Sequence, residues 1–260
     1  MRHALRIVWM AAEVQARELA VSGFMLFAAV FQPFFIGVTA MFMLRHRPDF
    51  DPVYVIVGTA LTGLWSTLLF SGSGVINHER WMGTLELLAA SPTSLFLIFS
   101  GKLIGTLVFS LLSLVLSYAI GALLFGYDVT IADPLGFVVS MLFALVSLWA
   151  LGMLFAPLGI LWRTVGRFLT GIEYPVYALA GFLFPILLLP VWSIPISYAL
   201  SPYWAAEALH GASRGELDLG GLARTWLFLA ITGAVAIVAA YRLFGVVLVR
   251  ARRAGTLALS

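Results

Sequence analysis

Cysteine is absent from the chain, and charged residues are scarce. Only 10% of the 260 residues are charged and 62% are hydrophobic, whereas about 25% of the residues of an ordinary soluble domain are charged. The lack of cysteine excludes disulfides, a thiolate nucleophile and cysteine-ligated metals. The lack of charge, together with a mean hydropathy of +1.04, excludes an ordinary water-facing surface and indicates that lipid surrounds most of the protein.

The sequence also lacks the motifs that bind nucleotides or metals. Gly101 and Lys102 form a Gly-Lys pair, but the upstream glycine and the following Ser or Thr of a phosphate-binding loop are missing. No pair of side chains suggests a nucleophile with its base, so an intramembrane enzyme is the least favoured class. We therefore expect no cofactor and no metal on this chain. The histidines are scattered without metal-site spacing: His3, His46, His78 and His210.

The basic residues indicate membrane topology. A net charge of +3 would suit nucleic-acid binding in a soluble protein, but these residues flank apolar segments, so no nucleic-acid partner is expected. Placing both termini in the cytoplasm puts most Lys and Arg residues on the inner side, as the positive-inside rule requires. The exceptions are Arg45, Arg47, Arg214 and Arg224.

Six apolar segments are long enough to cross a bilayer, which takes about 20 helical residues. The sequence therefore predicts an all-α polytopic membrane protein, a single domain over residues 1–260 with six transmembrane helices. Span two is rich in Gly, Ser and Thr, which indicates packing against protein rather than lipid. The spans are 24–44, 53–76, 95–125, 134–161, 168–189 and 222–249.

The segments outside the spans have their own patterns. Residues 1–22 predict an amphipathic helix lying along the membrane surface, with Leu5 and Trp9 on its apolar face. The alternative is a frayed start of the first span. Residues 190–221 contain repeated prolines, so they predict a re-entrant segment of short helices on the outer side. Residues 250–260 predict a cytoplasmic tail.

Local features within the spans give further expectations. Gln32-Pro33 predicts a kink in span one, because proline frees a backbone carbonyl. Gly101 and Gly105 form a G-x-x-x-G pattern that favours close helix packing. The amine of Lys102, near the start of span three, is expected to extend to the membrane interface.

A polar segment, residues 77–94, separates spans two and three. If it is helical, Glu79, Gly83 and Glu86 share one face of a short amphipathic helix. The alternative is a plain solvated loop. The sequence thus predicts either an interaction helix or a simple connection on the cytoplasmic side.

This polar segment resembles the cytoplasmic signature of ABC-2 type transporter permeases. The resemblance rests on Glu79-Arg80-x-x-Gly83-Thr84-x-Glu86-x-Leu88, ending at Pro92, and on a second match over 179–185, 189–190 and 201–209. It extends over nearly the whole chain. It implies a coupling helix seated in a groove of an ATPase subunit, with the N-terminal helix beside it. The implied ATPase contact comprises Glu79, Arg80, Gly83, Thr84 and Glu86.

The resemblance also implies partners and a location. Two cytoplasmic ABC ATPase subunits would carry the ATP and Mg, so this chain would transport without being an enzyme itself. A second permease subunit, identical or different, would complete a dimer with alternating access. The implied location is the bacterial cytoplasmic (inner) membrane.

Glu173 is the acidic residue expected at membrane depth. A carboxylate within a span costs about 2.5 to 3.5 kcal/mol on insertion scales, which favours a functional role in the transport path. The alternative is a structural ion pair with Arg163 or Arg167 near the inner interface.

Two classes of transporter remain open at this stage. The resemblance implies an ATP-driven exporter. Its favoured substrate is an amphipathic small molecule or natural product, because the spans offer few charges to coordinate an ion; a polysaccharide or lipid-linked glycan is the alternative substrate. The other class is a proton-coupled secondary transporter that uses Glu173. A lone intramembrane carboxylate and the lack of a visible repeat disfavour it.

Overall fold

The computed structural model describes residues 2–46, 51–84, 88, 93–127, 129–161 and 165–254. Within these ranges every regular element is helical, which agrees with the predicted all-α class. The α-helices are α1 (Arg2–Val21), α2 (Gly23–Leu26), α3 (Gln32–Leu44), α4 (Pro52–Trp81), α5 (Leu95–Leu123), α6 (Pro134–Phe155), α7 (Leu158–Leu161), α8 (Val165–Leu179), α9 (Ile194–Ala199), α10 (Ser201–Arg214) and α11 (Leu219–Ala254). A π turn covers Phe27–Phe31, and 3₁₀ turns cover Ile186–Leu188 and Val191–Ser193.

Four of the helices are long and apolar enough to cross a membrane. They are Pro52–Phe70 within α4, Leu95–Leu123, Pro134–Phe155 and Leu219–Val247 within α11. They coincide with predicted spans two, three, four and six, so membrane embedding is supported at these segments. The total of six spans stays a prediction.

The first and fifth predicted spans are shorter or interrupted. The first consists of α2, the π turn and α3, with its longest apolar helical stretch over Ala29–Leu44. The fifth, expected over residues 168–189, ends as a helix at Leu179. Gly181 then adopts φ +68, a left-handed conformation that suits glycine and ends the helix, and Pro185 follows. The predicted end at residue 189 is therefore wrong.

Helix α4 lies at the centre of the bundle. In its span, 83% of the residues are buried, against 28% to 50% in the other three. A Cβ on Gly58 would lie 1.7 Å from the carbonyl oxygen of Phe182, and one on Gly63 would lie 2.5 Å from the Ser113 side chain. The prediction that span two faces protein is confirmed, because its small residues let neighbouring chains approach closely.

Helix α1 packs along α5 through the G-x-x-x-G pattern. A Cβ added at Gly101 would meet the carbonyl oxygen of Val8 at 2.4 Å, and one at Gly105 would meet that of Ala12 at 2.2 Å. The predicted close packing is confirmed, and its partner is the N-terminal helix. The opposite face of α1 exposes Trp9, as a helix lying in the membrane interface would.

The segment before α11 is broken into short helices, as its prolines predict. Pro195 and Pro202 lie in the first turns of α9 and α10. A backbone N–H at these positions has no acceptor within the helix, so its absence in proline costs no hydrogen bond. Helix α10 is mostly buried and packs against α4, α6 and α11. It forms a lining for one end of the bundle rather than a further span.

Candidate coupling junction and membrane carboxylate

The C-terminal end of α4 differs from the predicted separate helix. Helix α4 does not stop at Ile76 but continues to Trp81. Gly83 then adopts φ +69, and the Thr84 amide bonds to the Glu79 carbonyl at 2.9 Å. The expectation that Glu79 and Gly83 share one helical face is therefore wrong, because the backbone reverses at Gly83.

Not all of the predicted ATPase contact lies in the described part of the chain. Glu86 and the side chain of Arg80 lie outside the described residues. Gly83 lies in an exposed turn, and apart from Gly83 itself and its two chain neighbours no described atom is within 4 Å of where its Cβ would be. Met82 beside it is 66% exposed. The turn thus presents backbone and one apolar side chain outward.

Glu79 is turned inward, toward Lys102. Its side chain is 8% exposed and forms an ion pair with the Lys102 amine, while the Thr84 hydroxyl donates to the other carboxylate oxygen. Glu18 of α1 lies 3.8 Å from the same amine. One ammonium therefore joins α1, α4 and α5, and we call these four residues the coupling junction.

The expected extension of Lys102 to the interface is wrong. Lys102 is only 6% exposed, because α1 lies against α5 at Gly101 and Gly105 and covers the lysine. A buried ammonium needs a nearby anion. Glu79 supplies it, and this contact between distant parts of the sequence also accounts for the inward direction of the glutamate.

Glu173 lies in the interior, 1% exposed, between α3, α4 and α8. One carboxylate oxygen accepts hydrogen bonds from the Gln32 amide at 2.7 Å, the Ser66 hydroxyl at 2.5 Å and the Tyr177 hydroxyl at 2.5 Å. The Ser66 and Tyr177 hydroxyls also contact each other. These four residues form a membrane cluster in which neutral donors hold the carboxylate.

Local backbone geometry sets up this membrane cluster. Glu173 and Tyr177 are four residues apart on α8, so they lie on one face. The backbone N–H of Gln32 donates a hydrogen bond to the backbone carbonyl of Phe27. This is the i to i−5 pattern of a π turn. Where the sequence predicts a kink at Gln32-Pro33, the structure has a π turn over Phe27–Phe31, directly before Gln32. Such turns are frequent at functional sites.

The alternative ion pair for Glu173 falls outside the described structure. Arg163 and the side chain of Arg167 are not among the described residues. Sequence reasoning identified Glu173 but missed Tyr177, and it assigned Gln32 and Ser66 to a kink and to packing. Their polar character within apolar spans was the available signal, because buried polar groups require partners.

Comparison with known proteins gives a family match. The family model described as ABC-2 type transporter matches residues 9–212 of this chain, well over half of its length. The match includes both the coupling junction and the membrane cluster. No curated protein matches the chain.

Proposed function

The chain belongs to the ABC-2 type transporter family, and on that premise we propose that it is the membrane permease subunit of an ATP-driven exporter. It moves an amphipathic small molecule or natural product out of the cytoplasm or the inner leaflet. ATP and Mg bind to two ABC ATPase subunits on separate chains. A second permease subunit completes the transport path, in the bacterial cytoplasmic membrane with both termini inside.

The coupling junction is the observation that carries this proposal. Met82 and Gly83 in the turn are exposed, yet the adjoining Thr84 bonds directly to a carboxylate that is paired with Lys102. A displacement of the turn by a partner therefore acts at once on α4, α5 and α1. Such packed, bonded contacts transmit rigid-body movements between elements.

An apolar cavity supports the substrate class. It measures about 360 Å³ and is lined by α4, α8, α10 and α11, with Trp65, Ile172 and Val176 among its apolar walls. Small-molecule sites are mostly apolar with few polar groups. A lipid-linked glycan remains the alternative cargo.

The proposal predicts that the exposed turn binds the ATPase. Met82→Asp should weaken co-purification of the permease with the ABC ATPase of its transporter, and should reduce export. Because Met82 is exposed, the substitution leaves the core packing intact. Leu219→Asp is the matched control, since Leu219 is also exposed but begins α11 at the other end of the bundle. Full ATPase association and export with Met82→Asp would contradict the assignment.

The membrane cluster favours a second candidate function. A proton-coupled secondary transporter needs a carboxylate that can exchange protons at membrane depth. Glu173 accepts hydrogen bonds from neutral donors and forms no ion pair within the described residues. Export that persists when the proton gradient is collapsed, but stops without the ATPase, would reject this candidate.

A further inference from the structure

A large cavity lies at the end of the bundle opposite the coupling junction. Its volume is about 820 Å³, and its walls include Tyr54 at the start of α4. Tyr54 is separated from Glu79 along α4 by roughly 37 Å at the usual helical rise. We call this space the far cavity. On the proposed orientation it opens on the outer side of the membrane.

One face of α10 forms much of the far cavity wall. Tyr203, Glu207, His210 and Arg214 all line the cavity, and their spacing of three or four residues places them on one helical face. His210 is 5% exposed, and its Nδ1 has no partner among the described residues. Burial lowers the pKa of His210 to about 3, so the imidazole is neutral.

Aromatic rings form a continuous wall beside Glu207. The Trp204 and Phe228 rings stack at 4.1 Å, and the Tyr203 and Trp204 rings meet edge to face at 5.0 Å. Tyr198 extends the wall, with its ring centroid 5.2 Å from that of Tyr203. A carboxylate next to aromatic faces is an environment that attracts organic ammonium groups, through charge and cation–π contacts.

One arginine of the far cavity already has carboxylate partners. Arg214 forms ion pairs with Asp51 at 2.5 Å and with Glu216 at 2.6 Å. Glu207 and Arg224, by contrast, form no ion pair within 4 Å in the described ranges. Burial raises the pKa of Glu207, which the nearby Arg224 guanidinium opposes. The cavity therefore contains one available anion and one available cation that influence each other without contact.

We propose that the far cavity binds a zwitterion, with an ammonium group against Glu207 and a phosphate against Arg224. A simple cation would meet the guanidinium, and a simple anion would meet the carboxylate, so neither satisfies both side chains. An arginine binds phosphate through two parallel hydrogen bonds. Phosphoethanolamine carries both groups and is the chemistry that fits.

The rim of the cavity points to membrane lipid as a source of this zwitterion. Leu187 at the rim is 81% exposed, and Tyr198 is 48% exposed. Apolar and aromatic side chains exposed at this level suit contact with lipid chains and headgroups. A soluble phosphoethanolamine compound has the same polar chemistry, and the experiment below separates the two sources.

The test compares two lipids with identical acyl chains on the purified full-length chain. Dihexanoyl phosphatidylethanolamine should bind more tightly than dihexanoyl phosphatidylglycerol, by about tenfold for one charge-assisted contact. Glu207→Gln should abolish this preference, while Arg224→Gln should weaken both lipids. Glu216→Gln is the matched control, because Glu216 lines the same cavity but already pairs with Arg214. It should retain the preference.

Several results would overturn the proposal. These are no preference in the wild-type chain, an unchanged preference in Glu207→Gln, or an equal loss in Glu216→Gln. If Glu207→Gln does not fold, the Arg224→Gln variant provides the test, because Arg224 is exposed. Unchanged binding of both lipids to Arg224→Gln would then overturn the proposed site. If the wild-type chain prefers phosphatidylethanolamine, a competition experiment separates the two sources. Displacement of this lipid by free phosphoethanolamine would show that a soluble ligand is sufficient. No displacement would show that the lipid itself is required. No ATPase is needed, so failure here leaves the proposed function untouched.

Discussion

Glu79 and Glu173 are two buried carboxylates in the same helical bundle, and their partners differ in charge. Glu79 at the end of α4 is paired with the ammonium of Lys102. Glu173 on α8 has only neutral donors among its described partners, from Gln32, Ser66 and Tyr177. Both are almost inaccessible, at 8% and 1% exposure. Burial alone therefore does not determine how a membrane carboxylate is satisfied.

The difference indicates different roles. An ion pair fixes two charges in one geometry and loses much of its stability if either partner is removed. A carboxylate held by neutral donors keeps an acceptor for them when its charge changes. The coupling junction is thus suited to transmit position, whereas the membrane cluster places a carboxylate in the interior without an ion-pair partner among the described residues.

The largest expected effect is at the coupling junction. Lys102→Met should lower the free energy of unfolding by about 3 to 5 kcal/mol, because it removes the ammonium that is paired with the buried Glu79 carboxylate. Thermal unfolding of the purified protein measures this. Adding Glu79→Gln should restore much of the loss. Arg17→Met is the control, since Arg17 pairs with Glu13 while 79% exposed and should cost at most about 1 kcal/mol. If Lys102→Met is as stable as the wild type, Glu79 does not depend on its ion pair, and the contrast between Glu79 and Glu173 disappears.

An intermediate effect is expected at the membrane cluster. Glu173→Leu should destabilise by about 1 to 3 kcal/mol, because buried donors lose their acceptor. Glu173→Gln should cost less, since its amide oxygen can still accept. Comparing the unfolding of the two variants measures the difference, and export assays show whether the charge itself is needed. Equal stability of Glu173→Leu and the wild type would show that the donors find other partners.

Sequence reasoning identified the carboxylates better than their partners. Glu173 stood out because a charge within an apolar span is rare. Gln32 did not, since it is 141 residues from Glu173 and no local pattern connects the two. Tyr177 was missed although its spacing of four residues from Glu173 is visible in the sequence. The end of α4 was misplaced for a related reason. Polar residues after Ile76 indicated a break, but Lys102 of another helix neutralises Glu79, and the helix continues to Trp81.

The packing predictions succeeded where small residues alone decided the geometry. Glycines at 101 and 105 leave room for α1 whatever side chains α1 carries, so the pattern was sufficient. The length of the fifth span failed because its end depends on the turn at Gly181 rather than on hydropathy. A mean hydropathy cannot distinguish an apolar helix from an apolar turn followed by short 3₁₀ pieces.

The smallest expected effect concerns the hydroxyl of Thr84, which links the exposed turn to Glu79. Thr84→Val keeps the shape of the side chain and removes the donor, so it should lower the free energy of unfolding by only about 1 kcal/mol. Its effect on function should be larger than that value suggests, because the turn would lose its side-chain bond to the coupling junction. Thr232→Val is the matched control, since the Thr232 hydroxyl bonds only to carbonyls of its own helix. We expect Thr84→Val to retain the ATPase but to export less per ATP hydrolysed, while Thr232→Val behaves as wild type. Equal export per ATP in both variants would show that the turn acts on α4 through its backbone alone.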